Sequence, residues 1–185
     1  MIAMVTGHRK LVPQGYSGSP WAENSEIITA HHDKIIDQMK GWCKTIIETY
    51  NQYEGPTHFI TGMAIGADQL FARAIIELMD EGYYCFLLAA VPFLGQDSKW
   101  PISVRNGYNA ILSRCNYVGY ICDPGYASWK MQKRNEWMVD NSSIVLSVWN
   151  GAESGGTYNC IGYARLKNRY IQRLDPETLQ ITTIS

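Results

Sequence analysis

Residues 83–91 read Tyr-Tyr-Cys-Phe-Leu-Leu-Ala-Ala-Val, with no charged or amide side chain among them. A strand with one wet face alternates apolar and polar residues. A run this uniform belongs to a strand covered on both faces, which in soluble proteins means a parallel sheet sandwiched between helices. Short apolar runs recur at 1–6, 57–61, 117–122 and 144–149. Between them lie segments of helical character at about 26–53, 67–81, 105–114, 128–141 and 157–167; the longest shows clear helical spacing in Ile28, Ile35, Met39, Trp42, Cys43 and Ile46. Residues 170–174 and 179–184 read as a terminal pair of strands joined by Asp175-Pro176-Glu177-Thr178. The alternation predicts an α/β fold: a Rossmann-like, open, mostly parallel sheet with helices on both faces and a C-terminal strand pair, as one domain over 1–185.

Composition narrows the functional classes. Sixteen Lys and Arg against seventeen Asp and Glu leave a formal net charge of -1. Without a basic excess, nucleic acid is read as an unlikely partner. The first residues lack the layout of a secretory signal, and no apolar run is long enough to cross a bilayer. The five cysteines, 43, 85, 115, 122 and 160, form no CxxC pair and are odd in number. Reduced thiols in a cytoplasmic protein, with no membrane role, are the expectation. His8, His31, His32 and His58 show no metal-ligand spacing, so neither a metal nor a cofactor is expected. Six tryptophans and twelve tyrosines fit a homodimer.

In an open parallel sheet, ligands settle beyond the carboxyl ends of the strands. Three loops there have unusual content. Thr6-Gly7-His8-Arg9 follows the first strand, and its hydroxyl and guanidinium suit phosphate oxygens, although a plain turn fits equally. Gly62-Met63-Ala64-Ile65-Gly66-Ala67-Asp68 leads into a helix, where free N–H groups favour an anion. It is neither a Walker motif nor a full GxGxxG. Asp68 reads first as a cap or loop support and second as a ligand contact. Gly151-Ala152-Glu153-Ser154-Gly155-Gly156-Thr157, between a strand and a helix, is the best phosphate site by local chemistry. Lys130 and Arg134 share one face of the fourth helix, with Asn135 beside them. That face is either solvated or carries an arginine into the crevice. Trp21 and Trp100, in the two long loops at 8–25 and 92–103, either stack on a base or pack the loops down.

TGHR at 6–9, TGMAIGAD at 61–68, VPF at 91–93 with Trp100 following, RNEWMVDNSS at 134–143 and WNGAESGGT at 149–157 occur in this order. Together they resemble the YspA-like (YpsA/YoqJ-type) family of the SLOG superfamily of Rossmann-like proteins, named for its Smf/DprA and LOG members. The resemblance implies a nucleotide-derived phosphorylated small molecule lying across the glycine loops, with its phosphate near Gly155, Gly156 and Thr157. Phosphoribohydrolases of the LOG type carry an arginine in the preceding helix, matched by Arg134, and a glutamate in a GGxGTxxE pattern. Cys160 stands where that glutamate would be. Arg134 and Glu153 remain the catalytic candidates, with Asp140 nearby in sequence, but without that carboxylate hydrolysis is not carried over. The expectations are therefore, in order, a ligand-binding sensor or sequestering protein, an N-glycosidic hydrolase, and a DNA-binding accessory protein.

Overall fold

The computed structural model describes residues 1–16 and 25–184. Trp21 and most of the first long loop's later half lie outside the described residues. In chain order the elements are β1 (Ile2–Gly7), α1 (Glu26–Glu54), β2 (Thr57–Thr61), α2 (Ala67–Asp80), β3 (Cys85–Val91), α3 (Ile102–Arg114), β4 (Tyr117–Tyr120), α4 (Trp129–Asp140), β5 (Ile144–Val148), α5 (Gly155–Leu166), β6 (Tyr170–Leu174) and β7 (Ile181–Ile184). One seven-stranded sheet runs β4-β3-β2-β1-β5-β6-β7. Every neighbouring pair is parallel except β6 and β7. This is the Rossmann-like arrangement that the alternation predicts, including the terminal strand pair. No helix among the described residues is long and apolar enough to cross a membrane.

The uniformly apolar strands are explained by two cores. On one face, Phe59, Leu87, Ala89 and Leu146 pack with α1, α2 and α3. On the other, Met4, Ile60, Ala90 and Val145 pack with α4 and α5. Successive residues of each central strand thus serve opposite cores. The strand order accounts for this split: β1 to β4 step one way across the sheet, and the chain then returns past β1 to lay β5 on its far side. The order reverses between β1 and β5. That point is where an open α/β sheet leaves a crevice.

Two helix starts differ from expectation. α3 begins at Ile102, three residues early. α5 begins at Gly155 rather than Thr157, so the glycine pair forms its first turn. Glycine is a poor helix former, which is why this turn reads as loop in the sequence.

Candidate functional site

β1 and β5 end side by side, with Gly7 opposite Val148. The His8 N–H donates to the Val148 carbonyl at 3.1 Å, and His8 Nε2 bonds Asn150 Oδ1 at 2.7 Å. The loops after β1 and β5 are therefore tied across the switch point. Asn150 falls within the WNGAESGGT run but is not among the site residues read from the sequence.

Two of the three glycine loops are packed closely against other parts of the chain. A Cβ on Gly7 would lie 2.4 Å from Ala67 Cβ and 2.8 Å from Val148 Cβ. Gly66 has φ +93°, and a Cβ there would meet the His8 and Arg9 carbonyl oxygens at 2.5 Å. The Ala67 N–H is taken by the His8 carbonyl at 3.1 Å. At the α2 N-terminus, read as an anion cradle, the backbone of the β1 loop thus takes the first N–H. Gly62 is occupied in the same way, because a Cβ on it would overlap the Arg134 guanidinium.

Arg134 and Asp68 are both buried, at 4% and 6% exposure. Arg134 Nη1 donates to the Gly62 carbonyl and, at 3.2 Å, to Asp68 Oδ2. Asp68 also accepts the Ala64 N–H at 3.1 Å, and Thr61 Oγ1 donates to its carbonyl at 2.7 Å. Burial pushes the Asp68 carboxyl up, against the pull of Arg134 and the Ala64 N–H. Asp68 thus supports the loop from the first turn of α2, whose N-cap is Gly66. Met63, buried and at φ +58°, is held between them, its carbonyl accepting from Gln96 at 3.1 Å.

The basic face expected on α4 is not solvated. Lys130 is buried and donates from Nζ to the carbonyls of Asp123, Pro124 and Gly125, fixing the β4–α4 loop. Trp100 packs edge-on against Tyr108, with ring centroids 5.4 Å apart. Glu153 is exposed in the loop before α5, and Asn135 is half-buried on α4. Asp140 closes α4 at the opposite end of the sheet, where it pairs with Lys167 at 2.8 Å. Cys160 is buried, its thiol pushed up to about 11 by burial while Thr6 hydrogen-bonds it. The charges of Arg134, Asp68 and Glu136 all act on that thiol, so Thr6, Cys160 and Arg134 gather beneath the switch point. A thiol held this high carries little thiolate at neutral pH. Glu136, half-buried on α4, is a carboxylate of this cluster that sequence reasoning passed over.

The α5 N-terminus remains open. Gly155 (φ +89°) and Gly156 are exposed, and a Cβ at either would meet nothing within 4 Å. The Ser154 side chain makes no capping hydrogen bond. The first N–H groups of a helix have no intrahelical acceptor, so this turn presents unpaired donors with the positive end of the helix dipole. Thr157, the third residue of the turn, is buried.

Comparison with known proteins places the chain. It is 30% identical over 143 residues, 71% of its own length and 81% of the relative's, to the uncharacterised SPbeta prophage-derived protein YoqJ of Bacillus subtilis strain 168. Among solved structures it is similar to DNA processing protein A of Streptococcus pneumoniae (TM-score 0.59, 15% identity, 94% of this chain). It is also similar to DNA processing protein A of Helicobacter pylori, a protein with a single-stranded DNA binding mode (TM-score 0.58, 14% identity, 95% of this chain). The chain spans 50% and 65% of those two proteins.

These neighbours overturn the expectation that nucleic acid is an unlikely partner, because this fold occurs in a protein that binds single-stranded DNA. The physical reason is that a net charge of -1 is an average over the whole chain. Binding depends on local charge, which a whole-chain balance does not report. The profile of the YspA SLOG family matches residues 24–180, and the chain belongs to that family.

Proposed function

We propose that this protein binds a phosphorylated, nucleotide-type small molecule at the switch point, with a phosphate on the first turn of α5. The observation that carries this reading is the open, uncapped N-terminus of α5, built from Gly155 and Gly156 beside the ends of β1 and β5. Backbone donors and a helix dipole at that place suit a phosphate. Glycines let the ligand approach the backbone closely. The buried, protonated thiol of Cys160 at the position of the hydrolase glutamate speaks for binding without turnover.

A ligand that binds only the folded state raises stability by about 2.7 kcal/mol at a hundred times its Kd. For a chain of this size that is a rise in Tm of roughly 5–10 °C. Screening nucleoside mono- and diphosphates and ADP-ribose by thermal melting should find such a rise. Gly156→Glu should abolish it. That variant fills the vacant anion position with its own carboxylate, so the free protein should melt no lower than the parent. A rise that survives Gly156→Glu would place the ligand elsewhere.

A second reading, single-stranded nucleic acid, is favoured by a different observation. Tyr126, between β4 and α4, and Trp129, the first residue of α4, stand 70% and 60% exposed, and Lys99 Nζ lies 5.9 Å from the Tyr126 ring centroid. Exposed rings beside a cation stack unpaired bases, each contributing about 1–3 kcal/mol. The Helicobacter neighbour supports this reading at the level of fold. Anisotropy of a labelled oligo-dT separates the two: a signal that falls with Trp129→Ala but ignores Gly156→Glu selects the strand.

A further inference from the structure

A groove of about 1090 Å³ runs between α1, α2 and α3, on the face of the sheet away from α4 and α5. Its floor is aliphatic, with Ile28, Leu70, Ile76, Val104 and Ile111 from three helices. Its cations are spread along it: Arg9 and Lys99 at the strand-end mouth, Arg73 midway along α2, and Arg114 in the last turn of α3. Among the described residues that line it there is no carboxylate. Arg73 and Arg114 do meet Asp33 and Asp80, but these pairs are exposed and worth little, so a partner's carboxylates can replace them.

We infer that this groove docks an acidic amphipathic helix of a partner protein. Charge complementarity sets the sign of the partner. The spacing of the cations sets its shape: a single-headed anionic amphiphile needs one basic end, whereas here charge runs from mouth to far end. The aliphatic floor disfavours a nucleic-acid strand, because Trp100, the one Phe, Tyr or Trp among the described residues that line it, is already packed against Tyr108, and the His32 ring is held by the Leu11 carbonyl. α3 presents Val104, Gly107, Ile111 and Arg114 at helical spacing over its 13 residues. That length matches about three to four turns of a docked helix with anchors at i, i+3, i+4 and i+7. A Cβ on Gly107 would meet nothing within 4 Å, so this position leaves room for a helix backbone to come close.

The test is independent of the α5 reading and uses the whole chain with synthetic probes. One labelled peptide of about 14 residues carries a leucine face and glutamates elsewhere; its twin carries lysines in place of the glutamates. The glutamate peptide should bind at least about tenfold more tightly than its twin. Gly107→Leu, sterically free and a better helix former than glycine, should fold normally by circular dichroism and weaken binding at least about tenfold. Arg73→Glu with Arg114→Glu should weaken it as well. Equal binding of both peptides, or binding indifferent to Gly107→Leu, would overturn the proposal. So would displacement of the peptide by oligo-dT, or a dimer of this chain that Gly107→Leu dissociates.

Discussion

Arg134→Ala should destabilise the protein by about 3–5 kcal/mol, measured by urea denaturation at neutral pH. The guanidinium is 4% exposed and is shared between the Gly62 carbonyl and the Asp68 carboxylate. Its loss leaves a buried carboxylate with the Ala64 N–H as its remaining hydrogen-bond donor and the charge of Arg9 nearby, and a void over Gly62. Breaking a buried pair costs far more than the pair contributes, because the remaining charge has neither water nor partner. The loss should also depend on pH. Burial already raises the Asp68 pKa, and the folded variant can relieve its unpaired charge by taking up a proton. A raised folded pKa gives stability that is present at low pH and lost as pH rises through that pKa. The penalty should therefore shrink on acidification. A constant penalty, or one under about 1 kcal/mol, would mean the guanidinium is not held as described. Arg134 is accordingly a poor probe of function, since losing it disturbs the β2–α2 loop whatever that loop binds. Gly156→Glu is the cleaner variant.

Gly66→Ala should be comparably damaging, at about 3 kcal/mol, with Gly7→Ala close behind. At Gly66 two costs add. Its φ of +93° is a region L side chains rarely adopt, and the new Cβ would press on two backbone carbonyl oxygens at 2.5 Å. At Gly7 the backbone is unstrained, but the methyl would collide with Ala67 and Val148, which belong to α2 and β5. These glycines are the seam along which β1, β5 and the first turn of α2 meet. Gly155→Ala is the informative control: its φ is +89°, yet the space around it is open, so only the conformational cost of about 1 kcal/mol remains. Thermal melts should rank the three variants Gly66, Gly7, Gly155 from most to least damaging. Gly155→Ala falling as far as Gly66→Ala would contradict the distinction between seam and open mouth.

That distinction marks the boundary of what the sequence shows. The fold is legible because each signal is local: the uniform run ending at Val91 reports two covered faces, and the spacing in α1 reports one. The site is only partly legible. A glycine kept for a ligand and a glycine kept for a distant stretch of the same chain look identical in sequence. Gly7 is set by Ala67, and Gly62 by Arg134, 72 residues away. Arg134 and Lys130 leave two readings open for a related reason. Charged side chains default to the surface, and only the folded chain supplies the carboxylate and carbonyls that bury these two.

The central claim is that a phosphate sits on the first turn of α5. The direct measurement is a nucleoside monophosphate titration of ¹⁵N-labelled protein followed by amide NMR. Saturable downfield shifts centred on Gly155, Gly156 and Thr157, absent in Gly156→Glu, are the predicted result. Saturable binding that leaves those three amides unmoved, or moves only amides along the α1–α2–α3 groove, would contradict it.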